Sequence, residues 1–298
     1  SRSIGDTRRP LYCLIASGIL NICLNLFLVI VFHLGVAGVA IATVISNTFS
    51  ASIVLYILCH EDEMIRLHWN RLQIHGAALK RIVQIGAPAA LQSAVFSISN
   101  ICIQTAINSF GSSAVAGMTA ALNFESIGYY IVSAFSQTVV TFIGQNYGAG
   151  QYGRCKKILR LCLAGGMIGA ILVSFVFIFA RSTVIRIFTV DPVEIEYAMA
   201  RFLYAIPFLF LTSTYEVVGS ALRGMGKSTL PAVFTVLGTV VFRVIWVYAV
   251  FPLWNSFQAL IIVYPFSWVL TGGMMILYYF WQRGKLFGKD SERPALIG

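Results

Sequence analysis

The sequence predicts an all-α integral membrane protein with about eight transmembrane helices, and three observations carry that prediction. Of its 298 residues, 58% are hydrophobic and 11% charged, against roughly 45–50% and about 25% in soluble domains. The apolar residues come in uncharged blocks, and about 20 such residues in a helix cross about 30 Å of hydrocarbon. The basic residues then alternate with the blocks: 17 Lys/Arg fall in one set of connections and three in the other. A buried helix of a soluble protein would need polar neighbours to cover it, and the chain supplies almost none.

Taken in order, the spans are expected at 11–32, 36–58, 82–107, 115–142, 158–180, 198–222, 231–251 and 257–281. The first follows Arg8-Arg9-Pro10 and carries Asn21 and Asn25 one turn apart, as on a face that looks inward. A short uncharged turn, His33 to Val36, leads into the second. His60 to Lys80 mixes Glu61, Asp62 and Glu63 with Arg66 and Arg71 and reads as a linker between two bundles. The third span opens near Ile85-Gly86-Ala87-Pro88 and holds Gln92, Ser93, Ser97, Ser99 and Asn100. The fourth holds Asn123, Glu125 and Tyr129, and the basic run Arg154 to Arg160 precedes the fifth. Arg181 to Tyr197 is the one charged connection on its side, with Ser182–Phe188 able to lie along the interface. The organisation is therefore 1–59 as one helix pair, 60–80 as linker, 81–282 as a six-helix bundle and 283–298 as a tail. An even span count and the charge split put both ends in the cytoplasm of a multi-pass protein of the cell (inner or plasma) membrane.

The same topology accounts for the formal charge of +10, so nucleic acid is not implied. Six cysteines without a CxxC pair read as small packing residues, not metal ligands. Gly148 to Gly153 fits G-x-G-x-x-G, but it follows a membrane span and has no βαβ context. Gly226-Lys227-Ser228 ends like a phosphate loop, but Ala221 stands where its first glycine belongs. Neither implies a nucleotide. The four histidines are scattered in connections, which leaves a membrane-embedded enzyme a distant alternative.

Arg2-Ser3-Ile4-Gly5-Asp6-Thr7-Arg8-Arg9-Pro10 has a counterpart at Arg223-Gly224-Met225-Gly226-Lys227-Ser228-Thr229-Leu230-Pro231, and two spans follow each copy. Such a motif is a helix-to-helix turn: glycine takes the left-handed backbone, Ser/Thr/Asp caps the next helix, and proline suits its first turn. Internal duplication with a site between the halves is common in transporters. The second copy follows four spans, within 82–222, that have no counterpart before the first, so four N-terminal helices are expected to be missing from the sequence.

These turns resemble those of the multidrug and toxic compound extrusion (MATE) transporters. So do Ile85-Gly86-Ala87-Pro88, the run Gly144-Gln145-Asn146-Tyr147-Gly148-Ala149-Gly150, and Leu222-Arg223-Gly224. The resemblance covers nearly the whole chain, as helices five to twelve of a two-lobe, six-plus-six helix fold. It implies export of small organic, often cationic, compounds in exchange for H+ or Na+ by alternating access, with no cofactor beyond that ion. A flippase for lipid-linked oligosaccharides of the same superfamily is the alternative; it would want a strongly cationic cavity, and Arg243 is the one basic residue not counted with the connections.

Intramembrane acids mark pathways because an ionised carboxylate in hydrocarbon is costly. Glu125 and Glu216 are the two, and a desolvated glutamate can hold a proton or pair with a cation. Glu125, Glu216, Arg243, Asn123, Tyr129 and Gln92 are the candidate coupling and substrate residues, with Arg243 as the expected neutralising partner of such an acid. Tyr130, Tyr204, Tyr215, Phe124 and Trp246 are candidates for an aromatic wall. Gly5, Asp6, Pro10, Gly144, Gln145, Asn146, Gly148, Arg223, Gly226 and Pro231 are assigned to the turns. The family carries acids in helices seven, eight or ten of this lobe. Here the seventh has none, and Glu216 lies closer to the Arg-Gly turn than in much of the family.

Overall fold

The structure, a computed structural model, describes residues 8–60, 73 and 75–287. Gly5, Asp6, most of the expected linker and the end of the tail lie outside the described residues. Among those described, eight helices are long and apolar enough to cross a membrane: α1 (Leu11–Val31), α2 (Gly35–Cys59), α3 (Gly76–Asn108), α4 (Ser112–Gly148), α5 (Tyr152–Phe179), α6 (Pro192–Gly224), α7 (Thr229–Trp254) and α8 (Phe257–Gly284). Every expected span has its helix. The chain divides into two compact units, Ser1–Ala78 and Leu79–Gly298.

In the first unit α1 and α2 pair through small residues. Gly38, Ala42 and Ser46 repeat every four positions on the buried face of α2, and the Ser17 hydroxyl donates to the Ser46 carbonyl at 2.9 Å. Asn25 donates to Asn21 within α1 at 3.0 Å, while its own Oδ1 is buried without a partner among the described residues.

The second unit is built on α4. Its buried residues, among them Ala114, Gly117, Ala121, Gly128, Val132, Ser136, Val139 and Ile143, recur every three or four positions along one face. That face takes α6, and α5 packs beside it. Membrane interfaces favour small residues because lipid offers no hydrophobic drive and close approach must supply the attraction. A Cβ on Gly117 would overlap the Glu194 carbonyl oxygen and sit 2.9 Å from the Tyr197 Cβ, so α4 and α6 touch nearly backbone to backbone there.

Helices α3, α5 and α6 begin earlier than hydropathy predicts. Helix α6 starts at Pro192 because Asp191 caps it, its Oδ1 accepting from the Val193 and Glu194 amides at 2.8 and 3.4 Å, with proline in the first turn. Arg201, counted in the sequence with the connections although it stands three residues inside the expected span edge, is thereby set nine residues into the helix. Replacing Asp191 by alanine should cost about 1 kcal/mol, read as a lower midpoint in thermal unfolding of the detergent-solubilised protein; an unchanged midpoint would deny the cap. Before it, Arg181–Arg186 forms a short helix whose Ile185 is buried.

Helix α6 is also interrupted. Its first α-helical stretch ends at Tyr204, Ile206–Leu211 tightens to 3-10 geometry around Pro207, and α-helix resumes at Thr212. Proline removes one donor and crowds the preceding turn; the Ser174 hydroxyl of α5 donates to the Ile206 carbonyl at 2.8 Å. Helix α7 is irregular in the opposite sense, with wider π-helical turns at Val236–Val241 and Trp246–Val250 flanking the short α-segment that carries Arg243.

At the α6–α7 turn, Gly226 has φ +79°, and the Lys227 and Gly226 amides donate to the Leu222 and Arg223 carbonyls at 2.8 and 2.9 Å. This closes the helix as the motif predicts, and Pro231 sits in the first turn of α7. Ser228 departs from expectation. It holds the N-cap position without capping, and its hydroxyl instead reaches the Gln84 carbonyl of α3 at 3.5 Å. Gly144, Gln145, Asn146 and Gly148 likewise belong to the last turns of α4, and Gly150, with φ +72°, makes the actual turn into α5.

Candidate functional site

Glu125 lies on α4 and Arg201 on α6, two and a half turns beyond the Asp191 cap. The close seam at Gly117 brings these two helices near enough for their side chains to meet. Arg201 donates through Nε to Glu125 Oε2 at 2.6 Å and through Nη2 to Oε1 at 2.9 Å, a two-bonded fork that fixes both geometry and charge. The arginine side chain is 1% exposed and the glutamate 12%. Its remaining nitrogen, Nη1, faces the Met118 sulfur at 3.6 Å, a weak acceptor.

The pair forms part of the wall of a cavity of about 360 Å3 framed by α3, α4, α6, α7 and α8. Phe96, Asn100 and Gln104 face it from α3, Tyr129 from α4, Thr212 and Tyr215 from α6, Arg243 from α7, and Tyr264 and Trp268 from α8. Arg243, 2% exposed, donates through Nε to the Ser267 hydroxyl at 3.0 Å. Both guanidinium groups lie against the Tyr264 ring, with carbon-to-centroid distances of 4.1 Å for Arg201 and 4.5 Å for Arg243. Phe96 lies 5.6 Å from Arg243. Desolvated contacts of this kind are worth about 2 kcal/mol, which offsets part of the cost of burying two arginines.

A second polar cluster adjoins the first. The Tyr129 hydroxyl, one helical turn beyond Glu125, donates to Glu216 Oε1 at 3.0 Å. Glu216 Oε2 lies 4.0 Å from Arg223 Nη2. That Nη2 donates to the Ser220 hydroxyl at 2.6 Å, and Ser220 shares a 2.5 Å hydrogen bond with Ser136. Tyr129 thus belongs to both the cavity wall and the Glu216 cluster.

The MatE family model matches residues 88–249, more than half of the chain and the stretch that holds Glu125, Arg201, Glu216 and Arg243. The chain belongs to the MatE family. This MatE protein is 27% identical over 242 residues to the probable multidrug resistance protein NorM of Thermotoga maritima, covering 78% of this chain and 51% of that one. It is 30% identical over 202 residues to an FAD transporter of Shewanella oneidensis, covering 66% and 44%. Its backbone superposes on the crystal structure of the MATE transporter VcmN of Vibrio cholerae with a TM-score of 0.84, at 20% identity, over 96% of this chain and 65% of that one. The fold is therefore that of a MATE transporter. The chain spans about half the length of the curated relatives it matches.

Within this MatE fold the residues singled out by sequence divide. Glu125, Tyr129 and Arg243 meet at the cavity, as does Tyr215. Glu216 joins through Tyr129. Asn123 is exposed and bonds its own helix at the Thr119 carbonyl. Gln92 is not among the cavity-lining residues, and Asn100 and Gln104 take that place on α3. Tyr130 faces outward at 68% exposure, Tyr204 is also exposed, Phe124 packs with Phe177, Phe188 and Phe202, and the Trp246 indole bonds the Ala259 carbonyl. The partner of Glu125 is Arg201 and not Arg243, because α6 begins at Pro192 and carries its arginine into the bundle.

Proposed function

We propose that this protein works as the substrate-handling half of a secondary active efflux antiporter, exporting small organic compounds in exchange for H+ or Na+ by alternating access. The observation that carries the reading is the Glu125–Arg201 pair in the wall of a cavity inside the helix bundle. An acid held by an arginine can exchange that partner for a proton or a metal cation, and a cavity lined by Tyr129, Tyr215, Tyr264 and Trp268 can seat a flat organic molecule. The interrupted α6 supports it, since broken helices flank the binding sites of many transporters, and curated relatives named as multidrug resistance proteins point the same way. With Arg201 assigned to a span, the loop arginines and lysines split 17 to two, which supports a cytoplasmic position for both ends in the cell membrane.

A second reading, a flippase for lipid-linked oligosaccharides, gains from the same arginine, since the bundle now holds two buried guanidinium groups where the sequence offered one. The aromatic walls and the neutralisation of Arg201 by Glu125 favour the first.

The test is uptake into proteoliposomes with imposed proton or sodium gradients, using a fluorescent organic dye as cargo. Glu125→Gln is expected to lower gradient-driven flux at least tenfold while the protein remains folded. Wild-type flux in the variant would move coupling elsewhere, with Glu216→Gln the next variant to measure.

A further inference from the structure

The charges around the cavity do not cancel. Among the described lining residues there is one acid, Glu125, and two guanidinium groups, Arg201 and Arg243. Glu125 spends both of its oxygens on Arg201. Arg243 has no carboxylate within salt-bridge distance among the described residues; its recorded hydrogen bond runs from Nε to Ser267, with aromatic faces beside it. A guanidinium has five N–H donors, and a buried, uncompensated charge in a membrane is held at a cost of several kcal/mol. Protonating Glu125 would only add to the positive excess.

We propose that the ligand this cavity takes is an aromatic organic anion, whose carboxylate or phosphate-type group pairs with Arg243 and whose ring lies among Tyr215, Tyr264 and Trp268. The inference rests on the cavity being the transport site. It reverses the sign of the cargo that the resemblance to cation exporters implies. The geometry suits it: the free N–H groups of a planar guanidinium match a two-oxygen anion, and the Nη1 of Arg201, turned to the Met118 sulfur, is a second donor with a poor acceptor. An organic cation in the same place would face a net positive wall with its one acid already engaged.

The experiment uses three probes that share one ring and differ in charge: 1-naphthaleneacetate, 1-naphthaleneacetamide and 1-naphthylmethylammonium. Equilibrium dialysis against the purified 298-residue chain in nanodiscs at pH 7 measures each. The acetate is expected to bind at least tenfold tighter than the amide, and the ammonium weakest. Arg243→Met should bring the acetate down to the affinity of the amide and leave the amide unchanged, while Arg243→Lys keeps the anion ahead. Equal affinities for the three, or the ammonium tightest, would overturn the anionic assignment and leave the cavity as a binding site. Binding of none of them would overturn both. If Arg243→Met does not fold, the order of the three probes on the unaltered chain still decides.

Discussion

Replacing Arg201 by methionine is expected to destabilise the protein by about 3–5 kcal/mol, the range for removing one partner of a buried ion pair. The loss arises because Glu125 would keep its charge and lose both hydrogen bonds of the fork, while Arg243 is held on another helix by its bond to Ser267. Glu125→Gln should cost less, since an amide oxygen can still accept from the Arg201 fork. The double variant Arg201→Met with Glu125→Leu should recover most of the loss, because replacing a buried pair by apolar side chains of similar volume is often neutral. Thermal unfolding of the four proteins in one detergent makes the measurement. The pair has no structural weight if Arg201→Met melts with the wild type, or if the double variant is worse than the sum of the two.

Gly117→Ala is expected to be the most damaging single methyl group in the chain. Its Cβ would run into the backbone of α6 at Glu194, which cannot swing aside as a side chain could. Overpacking of this kind costs about 1–3 kcal/mol, and Gly117→Val should prevent accumulation of folded protein. The seam also sets the spacing between α4 and α6, so a helix pushed outward at Gly117 lengthens the Glu125–Arg201 contact two turns away. Gly86→Ala is the control, because a Cβ there meets nothing within 4 Å. In a helix interior alanine is favoured over glycine by about 1 kcal/mol. Size-exclusion profiles and melting temperatures of the two variants should therefore move in opposite directions; a Gly117→Ala protein as stable as Gly86→Ala would show the seam to be slack.

The eight helices were legible because bilayer thickness imposes a length on uncharged blocks, and the turn at Gly226 because few residues adopt positive φ. Half of the site was legible for a related reason: Glu125 and Arg243 are expensive where they lie, and the sequence shows them plainly in apolar surroundings. Arg201 escaped because it stands near the edge of its block, where hydropathy grades from loop to span. The missed signal was Asp191-Pro192, a capping residue followed by a proline suited to the first helical turn, which starts α6 six residues before the block does. Naming Arg243 as the expected partner for an intramembrane acid followed from that omission. Tyr264 and Trp268 were invisible as site residues for a different reason. In a chain with 13% aromatics no single ring stands out, and only packing tells a cavity wall from lipid contact.

The seam between α4 and the first part of α6 is made largely of glycine, alanine and main chain, which have almost no rotamers to give up. Such a joint behaves as a strut, since it cannot adjust by side-chain repacking and either stays closed or parts altogether. The 3-10 segment at Ile206–Leu211 is its opposite, a stretch of poorer hydrogen-bond geometry with a missing donor at Pro207. Bending stress on α6 therefore concentrates at that segment, below Arg201 and above Glu216. Above it the seam holds Arg201 to α4, and below it Ser136 of the same helix meets the Glu216 carbonyl and the Ser220 hydroxyl, so the weak stretch is spanned by a single continuous helix that braces both of its ends.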